Sequence, residues 1–135
     1  MSDKIYVIGC SKELESLGMD RVRTRVEGLD EIEIAVDWSK AKFVPVVADE
    51  KMPFQAGESK MVSIRPIPVP AYAIVVQSFY GANGMGHLFC IGSLTYRPYT
   101  EDRVADKAMF HSHIKAAVLK GDLLGQVLVV AGRKL

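Results

Sequence analysis

Cysteine is scarce in this chain, and its scarcity excludes two architectures at the outset. Cys10 and Cys90 are the two cysteines present; they make no disulfide framework and have no metal-ligand spacing. Cys90, inside the apolar run LFCIG, reads as a small buried hydrophobe, and a reducing, cytoplasmic compartment is expected. Charge of one sign is lacking as well. Seventeen basic residues stand against sixteen acidic ones, leaving a net charge of +1. The basic residues are scattered, so there is no phosphate-backbone footprint and no nucleic-acid partner is expected. No run approaches the ~18 apolar residues of a membrane span, and no membrane partner is expected either. Val7-Ile8-Gly9-Cys10 superficially resembles a lipoprotein cleavage box, but the apolar stretch ahead of it is a few residues long and Asp3 stands where positive charge is wanted. Catalytic triads, paired-carboxylate motifs and nucleotide signatures are also missing. Whether the chain is an enzyme is left open by these absences.

What is present is a β pattern within one domain, 1–135. The stretch 60–94 organises it: MVSIRPIPVPAYAIVVQSF, then YGANGMGH, then LFCIGSL. Asn83-Gly84 is a strong type I′ hairpin signal, because both central residues need positive φ. A two-residue loop there would set Tyr80 opposite His87, Val76 opposite Ile91 and Val75 opposite Gly92. Such a ribbon is apolar on both faces, and a ribbon of that kind is buried on both sides. From it a homo-oligomer is expected.

Upstream, Pro66, Pro68 and Pro70 occupy alternate positions and strip one strand edge of its donors, which predicts an exposed edge or a crossing between sheets. The apolar phase changes there too. Val62 and Ile64 share one face before the prolines, Ile67 and Val69 the other after them.

Toward the start, 4–8 is a short strand. Residues 11–17 (SKELESL) form the expected short helix, with Ser11 at its start and Gly18 past its end. Residues 21–27 and 31–38 alternate strictly and are expected to pair through Gly28-Leu29-Asp30, with Ile32, Ile34, Val36 and Trp38 inward. Arg25 then faces Glu33 and Arg21 faces Asp37, so a neutralised solvated face explains the three arginines Arg21, Arg23 and Arg25 without an anion site. Residues 43–48 are a further strand that Pro45 demotes to an edge. Beyond Leu94, 95–105 is a polar, Pro-interrupted connection, long enough to suggest function. Two more strands, 107–119 and 123–131, flank a Lys120-Gly121-Asp122 turn. The total is eight to ten short strands and one short N-terminal helix, which predicts an all-β barrel or sandwich.

At this point the residues carry a resemblance. The stretch VVADEKMPFQAGESKMVSIRPIPVP (46–70), the glycine-containing turn after Ser78-Phe79, Gly92 and VLKGDLLGQVLVV (118–130) resemble the archaeal domain of unknown function, family 22. The resemblance implies a small β-rich domain occurring singly or in tandem in archaea, and it implies no chemistry and no functional residues.

Two constellations are candidates for chemistry. His111 and His113 lie two apart in a strand, so their rings share a face, a common way to present two nitrogens to a metal. If His87, near the tip of the central hairpin, joins them, a three-histidine site for a divalent metal would activate water. Tyr80, His87, Arg97 and Tyr99, with Tyr96, are candidates to line a small-molecule pocket, with aromatic walls and a fixed cation. Lys107 in Asp106-Lys107-Ala108 looks like a carrier attachment lysine, but it precedes Gly121-Asp122 too closely for that reading. The first expectation is therefore a non-catalytic small-molecule-binding or assembly domain. The second is a small metal- or acid/base-dependent enzyme using His87, His111 and His113.

Overall fold

A computed structural model describes residues 11–13, 34–77 and 84–135. The chain divides into two units, Met1–Glu33 and Ile34–Leu135, and the architecture that follows is that of the second. Its strands are β1 (Ile34–Val47), β2 (Met52–Phe54), β3 (Ser59–Val69), β4 (Ile74–Gln77), β5 (Gly86–Gly92), β6 (Arg103–Ser112), β7 (Ala116–Val118) and β8 (Leu123–Lys134). Among the described residues every element of three residues or more is a strand and every pairing is antiparallel, as the alternating patterns predict. None of those residues forms a helix long and apolar enough to cross a membrane. The helix expected over 11–17 lies outside the described residues beyond Glu13, so the N-terminal helix has no support among them. Most of the hairpin expected over 21–38 lies outside them as well.

The strands form three sheets, in the orders β1-β8-β4, β2-β7 and β3-β6-β5. None closes on itself, so the expected barrel is corrected to a set of open sheets around one core. The pairing is nested: β1 takes β8, β2 takes β7, and β3 takes β6. The sheets are tied where Ala48 bridges Ile64 and where the Asp49 N–H donates to the Ser63 carbonyl at 2.8 Å. Val46, Ile64, Phe54, Phe110, Val118 and Leu124 are among the fully buried side chains that these sheets share. Phe54 and Phe110 meet edge to face, with centroids 5.7 Å apart and planes at 76°.

The proline signals are carried through. Among the described residues β3 and β1 are both edge strands, which is where Pro66, Pro68 and Pro45 lose least by lacking an N–H. Val62 and Ile64 are buried, then Ile67 and Val69, with Arg65, Pro66 and Pro68 exposed between and after them. The change of phase coincides with a register break between Ser63 and Ile67. The Gly121-Asp122 turn also forms. Gly121 has φ +95°, and the Asp122 carboxylate accepts the Leu119 N–H at 2.8 Å, closing the turn backwards rather than onto the residue that follows.

Four expectations are corrected. Among the described residues the two arms of the Asn83-Gly84 ribbon do not pair: β4 lies against β8, with Val76 opposite Leu128, while β5 lies against β6, with Ile91 opposite Ala108. A hydrogen bond from Gln77 Nε2 to the Leu88 carbonyl still links those two strands. Val75 and Val76 are partly exposed, so the premise of the homo-oligomer argument, a ribbon covered on both faces, is gone. The described part of the expected strand 31–38, from Ile34 on, merges with the strand expected over 43–48 into β1 (Ile34–Val47), around a break between Val36 and Ala41. There the Ser39 hydroxyl and N–H donate to Asp37 at 2.5 and 3.0 Å. These bonds, with Lys40 nearby, hold the Asp37 carboxyl below its usual range. Trp38, on this knot, is 51% exposed rather than inward. Cys90 is exposed rather than buried, because the bulge between Leu88 and Cys90 shifts its side of β5.

Candidate functional site

Two places gather polar side chains, and strand register builds both. The first is the outer face of the β3-β6-β5 sheet. Across its three strands Ser59 is opposite His111, and His111 is opposite His87. Alternation along β6 sends Ala108, Phe110 and Ser112 into the core and so turns His111 outward. A hydrogen bond of 2.8 Å joins His111 Nδ1 to Ser59 Oγ. His113 follows the end of β6 and is fixed by its own backbone, whose N–H donates to the Met85 carbonyl at 2.9 Å. Buried Ser112 helps hold this corner, its hydroxyl donating to the Ile114 carbonyl at 2.6 Å. The result brings His87 Nδ1 within 3.3 Å of His113 Nε2. The His113 ring stands edge-on to His87 at 4.6 Å and to His111 at 5.1 Å.

All three expected histidines thus meet, yet not as a three-ligand cage. Among the described residues no three histidine, cysteine, aspartate or glutamate side chains are grouped so as to hold a metal ion. His87 and His113 present nitrogens to each other, while His111 is turned to Ser59.

The second place is a cleft of about 730 Å³ between β4, β5, β6 and the connection 93–102. It opens because β5 ends at Gly92, opposite Lys107, and leaves the first residues of β6 without a β5 partner. Val69, Val75, Ile91 and Val104 supply apolar wall, while Arg97, Asp102, Arg103 and Asp106 supply charge. The volume lies inside the ~300–1,000 Å³ range of small-molecule sites.

One end of the cleft is pinned by a network. Arg103 Nη2 donates to the carbonyls of Pro70 (3.0 Å) and Ala73 (2.7 Å). The Asp102 carboxylate accepts the Ala71 N–H at 2.9 Å. Between them Tyr72 is held at φ +63°, a left-handed conformation uncommon for any residue but glycine. Its N–H donates to the Tyr99 carbonyl at 2.7 Å, and the two tyrosine rings meet edge to face at 5.6 Å. Gly132 makes this turn possible, since a Cβ there would lie 2.1 Å from the Tyr72 carbonyl oxygen.

The same cleft residues carry two orphans. Arg103 Nε and Asp106 Oδ1 are buried and have no hydrogen-bond partner. A buried polar atom left unpaired costs ~1–3 kcal/mol, and native folds rarely tolerate one without a purpose or a bound molecule.

Of the ligand-binding residues expected from sequence, Arg97 reaches this cleft, as does Tyr96. Tyr99 braces the turn at its end, His87 belongs to the histidine cluster, and Tyr80 lies outside the described residues. Arg103 and Asp106 were not singled out by sequence. Their signal was two charges, RVAD, at the end of the expected connection 95–105 and just ahead of the strand expected from 107. Lys107 lies within β6 with Nζ donating to Ser63 Oγ at 2.7 Å, a paired strand residue and no attachment point.

An open, antiparallel all-β domain with a charged cleft is the class these features define. The family profile described as Domain of unknown function DUF22 matches residues 18–115, and the chain belongs to that family. A relative, the Uncharacterized protein MJ0614 of Methanocaldococcus jannaschii, is 34% identical over 96 residues, 71% of this chain and 74% of the relative. No solved structure matches.

Proposed function

We propose that this domain binds a small polar molecule in the cleft beside the 93–102 connection and does not transform it. The observation that carries the reading is the pair of buried, unpartnered atoms, Arg103 Nε and Asp106 Oδ1, on residues that line that cleft. A guanidinium N–H offers a donor and a carboxylate oxygen an acceptor. The complementary ligand therefore has at least one acceptor and one donor, reached directly or through one ordered water. Its body is compact enough to lie against Val69, Ile91 and Val104. Arg97, on the exposed loop, adds a cation that suits a carboxylate or phosphate substituent. Two arginines and two aspartates on the same walls favour a ligand of mixed polarity over a simple polyanion.

The test is a thermal-shift screen of nucleotides, carboxylates and planar heterocycles on untagged protein. A ligand at a hundred times its dissociation constant contributes about 2.7 kcal/mol, enough to raise the melting midpoint by several degrees. Asp106→Asn keeps the shape but replaces one oxygen by a donor, and Arg97→Ala removes the exposed cation. Both are expected to remove the ligand-induced shift while leaving the ligand-free midpoint nearly unchanged. A full shift in both variants would take the site out of this cleft.

A further inference from the structure

The geometry points to a second site, independent of the cleft: His87 Nδ1 and His113 Nε2 form a two-nitrogen chelate for a divalent transition metal on the outer face of the β3-β6-β5 sheet. The separation of these atoms, 3.3 Å, is the edge of a tetrahedral site. Two zinc–imidazole bonds of ~2.0–2.1 Å at a tetrahedral angle place their nitrogens roughly 3.3–3.4 Å apart. Both side chains are exposed, so an ion reaches them without opening the core. Both are positioned by backbone: His87 by its place opposite His111 in the sheet, His113 by the bond from its N–H to the Met85 carbonyl. Little ordering is then left to be done on binding.

In the metal-free pair one ring donates to the other, because two lone pairs do not face each other at this distance without a proton between them. A metal ion replaces that hydrogen bond: the donating ring takes up its proton on its other nitrogen, both facing nitrogens then offer lone pairs to the ion, and each ring keeps one N–H, so no net proton is lost. His111 acts beside the chelate rather than in it. Its ring stands edge-on to His113 at 5.1 Å and is itself held by Ser59, so it fixes the orientation of the His113 ring.

The donor set selects the class of ion. Imidazole nitrogens without a carboxylate partner suit zinc, copper, nickel or cobalt and not magnesium or calcium. Two protein ligands leave the remaining positions open to water or to a small anionic ligand. That openness distinguishes the site from a structural zinc site, in which four protein ligands close the sphere.

Untagged protein titrated with Co²⁺ alone, followed by absorption and by one-dimensional proton spectra of the histidine rings, tests the proposal. Saturable binding of one equivalent is expected, with the His87 and His113 ring signals perturbed first. His87→Gln and His113→Gln should each weaken binding about tenfold or more, the scale on which losing a supporting group already acts. His111→Gln should leave the stoichiometry unchanged. Magnesium should not compete. Two results would overturn the site: no saturable uptake by the untagged wild-type chain, or undiminished uptake by the His87→Gln/His113→Gln double variant. Should a variant lose its fold, the ring signals of the wild-type protein decide alone, since perturbation confined to other residues rejects the assignment.

Discussion

Gly86→Ala is expected to lower the stability of the domain by roughly 3 kcal/mol, or about 10 °C in the melting midpoint. A Cβ at Gly86 would sit 1.8 Å from the His111 carbonyl oxygen, 2.8 Å from its carbon and 2.9 Å from Ser112 Cα. All three atoms are backbone, so no side chain can swing away. Relief requires β5 to move from β6 at the pair Gly86–Ser112, and Ser112 is fully buried. Gly92, at the other end of the same strand, is the control. A Cβ there meets nothing within 4 Å, and Gly92→Ala should melt within a degree or two of the parent. Equal midpoints for the two variants would mean that β5 does not approach β6 as closely as described. Because His87 follows Gly86 directly, the same substitution should also displace one arm of the histidine pair.

The second large effect is expected at Phe110. Its side chain is fully buried and stands edge-on to Phe54, where the two-stranded β2-β7 sheet meets β6. Phe110→Ala removes the transfer energy of the ring and leaves a cavity under three sheets, about 3–5 kcal/mol in total. Against a typical total of ~5–15 kcal/mol, that is a large share, and the urea midpoint should fall accordingly. Phe89→Ala, at a position 53% exposed on the neighbouring strand, should cost a small fraction of it. A double-mutant cycle of Phe54→Leu and Phe110→Leu should show a coupling of ~0.5–1.5 kcal/mol beyond area burial. Independent, additive losses would deny the edge-on contact.

Sequence revealed this fold unevenly, and the division has a physical cause. Local stereochemistry was legible. Proline at alternate positions marked β3 as an edge, Pro45 did the same for β1, and Gly121 with Asp122 gave their turn. The choice of strand partners was not. Val75 and Val76 match apolar positions on β8 as well as they match Ile91 and Gly92, so Asn83-Gly84 could signal a reversal but not the pairing that follows it. The histidines show the same split. That His111 and His113 share a neighbourhood follows from their spacing, whereas His87 joins them through the β5–β6 register. The cleft was the least legible. Its long connection, Tyr96 and Arg97 stood out as loop chemistry, but Arg103 and Asp106 lie in a strand, and only the end of β5 at Gly92 turns them into a wall.

The nested strand order carries a kinetic meaning. Ile34 finds its partner at Lys134, one hundred positions further along the chain, and β8 is the middle strand of its sheet. A nascent chain emerging at ~5–20 residues per second therefore holds β1 and β4 unsupported for seconds, until the strand between them has been translated. Such distant closures fold slowly, in milliseconds to seconds, so the central strand of this sheet is also the last of it to be made.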